Sequence, residues 1–317
     1  MEKKINRREF IRKSGTLGVI TAGASMIPGI GACSLLSPSA DISVVSGAGY
    51  FANTLKAIDL IGGMKKFIPE GSTVGLLINS DFDIPGTYVN PDVAIAAVKS
   101  IFDAGAQSII CLQKVKEEYW ERSSYYESHK DILSTLKQVE TNVFPSEYND
   151  DDFIKLTDLD NNKALKETEV VKAWLECDVF VNIPICKHHA STLLTGAMKN
   201  IMGVSTRKAN VTFHLGSGVR NDPDYLAQCI VDQNLVRKSD LCIMDATEFI
   251  TDNGPSGPGT LKKPQKIIAG ADMVAIDAIA AEILGYSPGE ILCVVKGHES
   301  GLGNKEYSDY NLVELNA

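Results

Sequence analysis

Close cysteine pairs are missing from this sequence of 317 residues: Cys111, Cys177, Cys186, Cys229, Cys242 and Cys293 never fall at a Cys-x-x-Cys spacing, and Cys33 stands alone near the start. The chain therefore encodes neither a ferredoxin-type cluster nor a zinc ribbon. Cys111 and Cys242 sit inside apolar runs and read as small buried hydrophobes. Long apolar runs are also missing, since no segment reaches the ~18 uninterrupted apolar residues that a membrane span needs. Histidine is scarce, with five in all, and positive charge is outnumbered, 31 Lys and Arg against 40 Asp and Glu. Beyond residue 32 the balance is 25 basic to 38 acidic residues. A surface that acidic repels phosphate backbones, which excludes nucleic acid as a partner. There are no internal repeats.

What is present begins with Asn6-Arg7-Arg8-Glu9-Phe10-Ile11, followed by a mildly apolar stretch from Gly15 to Ile30. A charged n-region followed by an apolar h-region is the plan of a secretory signal, and the frequent glycines there oppose a stable helix of the mature domain. The paired arginines resemble a twin-arginine signal, which implies delivery of a folded protein by the twin-arginine translocation machinery. Ile30-Gly31-Ala32-Cys33 resembles a lipobox, which implies a lipid on Cys33. Residues 1–32 are thus expected to be the signal peptide and 33–41 a tether. The mature domain, 42–317, is expected outside the cytoplasm, periplasmic or in the cell envelope, touching membrane through that lipid alone.

Within the mature part, Thr73–Asn79 and Ser108–Leu112 read as buried strands flanking a helix that Pro91 opens. Strand, helix and strand with short loops imply βαβ units and a parallel sheet. Residues 114–165, rich in Glu, Lys, Asp and Tyr, read as a solvated excursion. The pattern then predicts a helix over Glu167–Cys177, a strand over Val179–Ile183 and a helix over Leu193–Ile201. Further on it predicts a helix over Asp222–Val236, strands over Leu241–Met244 and Lys266–Ala269, and a helix over Met273–Leu284. The expected class is α/β, a mostly parallel sheet with helices on both faces, as one elaborated domain or two α/β lobes.

One segment breaks the acidic character. The 43 residues between Asp178 and Asp222 contain no Asp or Glu. They hold Lys187, Lys199, Arg207, Lys208 and Arg220, with His188, His189 and His214. This reversal of sign begins where strand Val179–Ile183 ends, which is where open parallel sheets place their ligands. Lysine and arginine suit a carboxylate or phosphate, and histidine suits proton movement or metal binding. Thr195, Gly196, Lys199 and Asn200 lie in a run that could aim backbone N–H groups at an anion. Asp245 ends its strand as a candidate acid or ligand, and equally as a cap. Asp272 reads as an N-cap, whereas Asp277 stands inside an apolar pattern that a bare carboxylate avoids. His129 reads as surface, and His298 as surface or as reaching the cleft.

Lys187-His188-His189, then Thr195-Gly-Ala-Met-Lys-Asn200 and His214, resemble the signature of the domain of unknown function (DUF) 362 family. The resemblance continues through Asp245, Gly254-Pro255 and Ala271–Asp277, covering most of the mature chain. Members are often exported by twin-arginine signals, and many carry a fused ferredoxin-like domain that this chain lacks. Where members tend to show Lys-Pro-Asn, this chain has Leu77-Ile78-Asn79. More distantly, His189, Lys199 and His214 stand in the order and near spacing of a proton-shuttling His, a cofactor-holding Lys and a nickel-ligating His in nickel-pincer lactate racemases. That similarity implies a transition metal, nickel or iron, on His214, a cofactor anchored by Lys199, and His189 as acid and base. The second catalytic His of the racemases has no counterpart except His129.

Two functions remain open at the level of sequence. One is an exported protein that binds a small anion or a metal or organic cofactor through Lys187, His188, Thr195, Gly196, Asn200 and Asp277. His189, Lys199 and Asp245 would then carry proton or hydride transfer. The other is a non-catalytic lipoprotein whose basic surface holds a metabolite or a redox partner.

Overall fold

A computed structural model describes residues 39–141, 149–159 and 162–317. The signal segment, Cys33 and most of the tether lie outside the described residues. Eight strands form one sheet: β1 (Ile42–Ser46), β2 (Thr73–Ile78), β3 (Ser108–Cys111), β4 (Lys137–Gln138), β5 (Val179–Ile183), β6 (Leu241–Ala246), β7 (Lys266–Gly270) and β8 (Leu312–Asn316). Their order is β8-β1-β7-β6-β5-β2-β3-β4. Every neighbouring pair is parallel except those of β7, which runs against both β1 and β6.

The central strands read as continuous apolar runs because both faces of the sheet are covered. In β2, Val74, Leu76 and Ile78 share a cluster with Val93, Ala97 and Ile101. Leu77, pointing the other way, joins Phe180, Trp174, Ile201 and Val204 in a second cluster. Period-two alternation thus feeds two cores from one strand. Helices include α1 (Tyr50–Leu60), α2 (Pro91–Asp103), α3 (Ala197–Asn200), α4 (Arg207–Leu215), α5 (Pro223–Val236) and α6 (Met273–Leu284). Asn90 caps α2 by accepting from the Asp92 N–H, Asp222 caps α5 and Asp272 caps α6. Among the described residues no helix is long and apolar enough to cross a membrane. All six cysteines described are buried free thiols.

Three stretches differ from the sequence reading. Over 167–177 the chain makes a strand, Thr168–Val171, before a short helix, Lys172–Glu176. The β-branched Thr168, Val170 and Val171 favour pairing with Phe153–Leu156 over helix. Leu193–Thr195 pairs with Lys187–His189 as a hairpin, and only then does α3 begin. The excursion is not all solvated: Tyr119, Trp120 and Tyr126 are buried, and β4 extends the sheet. Aromatic side chains of this size carry enough apolar area to be drawn into the core.

Candidate functional site

A cleft of about 360 Å³ opens where parallel strands end. Asn79 follows β2 directly, and Gln113 follows β3 by two residues; both line the cleft with Asp81. Thr195 closes the hairpin, α3 contributes Lys199 and Asn200, and Gly203 lies on the turn after it. Arg207, Asn210 and His214 complete the wall from one side of α4, where spacings of three and four residues share a face. Ligands of open parallel sheets occupy this carboxyl edge.

Lys199 is half-buried on the cleft wall and makes no hydrogen bond or ion pair among the described residues. Burial pulls its ammonium down to about 8. Thr195 beside it is buried, and its hydroxyl oxygen has no hydrogen-bond partner. A buried orphan hydroxyl costs stability, and this one lies on the cleft wall beside Lys199. His214 meets the Asn221 Oδ1 at 2.9 Å through Nδ1. Nδ1 is then the protonated nitrogen, which leaves the Nε2 lone pair unused. Burial, then the charge of Lys199, lowers the His214 pKa. Across the cleft, Gln113 Nε2 donates to Asp81 Oδ2 at 2.6 Å.

Behind this wall runs a ladder of buried amides. Asn79 Nδ2 donates to Asn200 Oδ1 at 3.0 Å, and Asn200 Nδ2 donates to Asn182 Oδ1 at 2.7 Å. Asn182 Nδ2 ends the ladder on the Ala197 carbonyl at 2.8 Å. Lys187 reaches the same ladder, 3.5 Å from Asn79 Oδ1, while its ammonium donates to the Thr87 carbonyl and lies 4.2 Å from the Phe82 ring centre. It is fully buried, and burial followed by repulsion from Lys199 brings its pKa to about 7.

The remaining candidates from the sequence stand outside the cleft. Asp277 Oδ1 accepts from the Ala197 N–H at 2.5 Å and Oδ2 from the Met198 N–H at 3.0 Å. The helix N-terminus that the sequence offered to a ligand anion is held by an aspartate of α6, whose pKa burial raises to about 7. Gly196 permits this, because a Cβ there would lie 2.2 Å from Asp277 Oδ1. Asp245, raised to about 6 by burial, accepts from the Asn90 and Thr247 N–H groups and ties β6 to the start of α2. His188 Nδ1 accepts from the Gly254 N–H at 3.0 Å, pinning the glycine-rich loop over 253–259 to the hairpin. His189 Nδ1 accepts from the Ser191 and Thr192 N–H groups at 3.1 and 3.3 Å. Burial, then the charge of Lys199, drives His189 down to about 2, so the ring is neutral. His298 contacts the Gly303 carbonyl, and His129 the Tyr125 carbonyl, both away from the cleft.

Lys199 and His214 share the cleft, and Lys187 stands behind it. His189 is on the hairpin, near enough to feel their charge but committed to its own turn. Asn79, Asp81 and Gln113 were not singled out as ligand groups; their position just past two strands is the signal that could have found them. No three His, Cys, Asp or Glu side chains among the described residues are grouped to hold a metal ion. A nickel or iron centre would find one imidazole in the cleft, that of His214, and one carboxylate, that of Asp81.

The geometry can be set beside known proteins. A thylakoid-associated protein from Synechocystis sp. is 27% identical over 146 residues, 46% of this chain and 44% of that protein. This chain thus spans less than half the length of that curated relative. A crystal structure of a Thermotoga maritima protein aligns over 80% of this chain and 60% of its own, with a TM-score of 0.41 and 10% identity. The family profile described as domain of unknown function (DUF362) matches residues 75–282, more than half of the chain, and the matched span carries the whole cleft. The chain belongs to the DUF362 family.

Proposed function

We propose that the cleft binds a small organic anion, with Lys199 as the main cation, Thr195 as a hydroxyl donor and Arg207 on the same wall. The observation that carries this reading is the pairing, on one wall, of an ammonium and a buried hydroxyl that both have no partner among the described residues. Protein interiors rarely leave either group unsatisfied, and one bound carboxylate or phosphate answers both. Asn200 and Asn79 fix the wall, and Lys187 adds positive field from behind. His214 is the nearest base for proton transfer, through Nε2, and takes the role that the sequence reading gave to His189. Asp245, Gly196 and Asp277 hold the scaffold. Titration calorimetry with lactate and with phosphate tests the reading. Wild type should bind at least one of them, and Lys199→Met should lose at least tenfold in affinity, about 1.4 kcal/mol. Equal affinity in both proteins, or no binding to either, would remove the proposal.

We propose also that the protein is exported folded, on a twin-arginine signal, and held at the membrane by a lipid on Cys33. Arg7-Arg8 and Ile30–Cys33 support this, as does the burial of the six described cysteines as free thiols, which suits a chain that folds in a reducing compartment. Mass spectrometry of native protein tests it, because an N-terminus at Met1 without lipid would overturn both parts. A second reading, docking of a redox partner, is favoured by one observation. Val211, Leu215 and Val219 are exposed by half or more, a cluster of apolar side chains beside the cleft and next to Lys208 and Arg220. Charged substitutions at Val211 and Leu215 should abolish partner transfer in that case and leave anion binding unchanged.

A further inference from the structure

We infer that Lys199 forms a reversible imine with a small 2-oxo acid held in this cleft, a step that rests on the anion-binding reading and goes beyond it. Among the lysines whose surroundings are described, Lys199 combines three properties. It lines a cavity large enough for a small organic acid, about 360 Å³. It has no carboxylate within ion-pair distance among the described residues, whereas Lys56, Lys99, Lys114, Lys155, Lys172 and Lys263 each have one. It is half-buried on the cleft wall, which desolvates its ammonium. Desolvation without a compensating carboxylate favours the neutral, nucleophilic amine of a lysine. With its pKa at about 8, Lys199 offers on the order of a hundredfold more free amine at pH 8 than an ordinary lysine.

Lys187 does not qualify despite its low pKa. It is fully covered, and its ammonium is engaged by the Thr87 carbonyl and stacked over Phe82. The other cleft groups supply what imine formation needs. Arg207 and the Thr195 hydroxyl meet the carboxylate, which places the adjacent keto carbon toward the amine. The neutral His214 can take a proton at Nε2 and return it to the departing oxygen. The Lys199 nitrogen adds to the carbonyl carbon, a C=N bond replaces the C=O bond, and the two amine hydrogens leave with the oxygen as water. Nothing is oxidised or reduced. Asp81, tied to Gln113, also lines the cleft.

The test is reductive trapping. The full chain is incubated with pyruvate, treated with sodium borohydride, digested and mapped by mass spectrometry. The proposal expects about one adduct per chain, on Lys199, exceeding that on exposed Lys56 by about tenfold or more. The trapped fraction should rise with pH through about 8. Lys199→Arg removes the reactive amine and should lose the adduct, with pyruvate affinity read in parallel by calorimetry. An adduct spread over exposed lysines, or located on Lys187, or absent while pyruvate still binds, would overturn the imine and leave the anion site standing. Absence of both adduct and binding would overturn the two together.

Discussion

Asp277 and Gly196 are joined by a missing atom: the aspartate carboxylate occupies the space that a Cβ on Gly196 would fill, 2.2 Å from Oδ1. From there it accepts from two consecutive N–H groups at the start of α3. An anion at a helix start is favourable because unsatisfied N–H groups converge there. Here the protein supplies its own, and so fixes the short helix that carries Lys199.

Gly196→Ala therefore forces α3 away from α6 and breaks two charge-assisted hydrogen bonds. Overpacking and the lost bonds together should cost about 2–4 kcal/mol, read as a lowered midpoint in urea. Anion affinity should fall with it, since Lys199 moves too. A variant as stable as wild type would show that the carboxylate does not hold the helix.

Thr195→Val distinguishes a ligand group from a scaffold group. The substitution keeps the shape and removes a hydroxyl that has no internal partner. Removing a buried orphan should leave thermal stability unchanged or slightly higher, because its desolvation cost disappears. Affinity for lactate should drop by about 1 kcal/mol, some fivefold, in calorimetry. Unchanged affinity would mean that the hydroxyl does not touch the anion.

Which side chains line the cleft was more legible in the sequence than how they are arranged. The apolar runs at 73–79 and 179–183 marked strands correctly because both are almost wholly buried, and that at 108–112 because it sets Ile109 and Cys111 into one cluster and Ile110 against the other. The order of those strands was not legible, since β1 pairs with β7 and β8 across more than two hundred residues. The loss of acidic residues between Asp178 and Asp222 pointed to Lys199, Thr195, Asn200 and His214, and these do line one cleft. The same stretch also pointed to Gly196 and, with Asp277, to a ligand, because an internal carboxylate and a bound one impose the same local sequence. Whether the anion at a helix start belongs to the chain or to a substrate is decided by tertiary packing. The hairpin over Lys187–Thr195 was missed for a related reason: its second strand is three residues long and leads straight into α3.

Anion binding should weaken as pH rises through about 8. The protonated form of Lys199 is the one that attracts the ligand, and an anion bound to it raises that pKa above its value in the empty cleft. Affinity is therefore highest below about 8 and falls above it, whereas imine trapping rises over the same interval. Opposite pH slopes for calorimetric binding of lactate and trapping of pyruvate would place both events on one amine. Parallel slopes would assign them to different groups.

His189 supplies the sharpest contrast between sequence order and structure. Its Nδ1 accepts from the N–H groups of Ser191 and Thr192, and burial with nearby positive charge holds it neutral down to about pH 2. A base with that pKa is unprotonated throughout the physiological range and cannot cycle a proton efficiently near neutrality. Asparagine can present an acceptor oxygen to the same two donors, whereas alanine cannot. His189→Asn should thus keep stability and anion affinity close to wild type, while His189→Ala should lose about 1–3 kcal/mol by leaving two turn donors unmatched. Paired urea melts and lactate titrations on the two variants decide the matter. If His189→Asn instead abolishes a proton-transfer activity while remaining as stable as wild type, the histidine acts in the chemistry and not only in the turn.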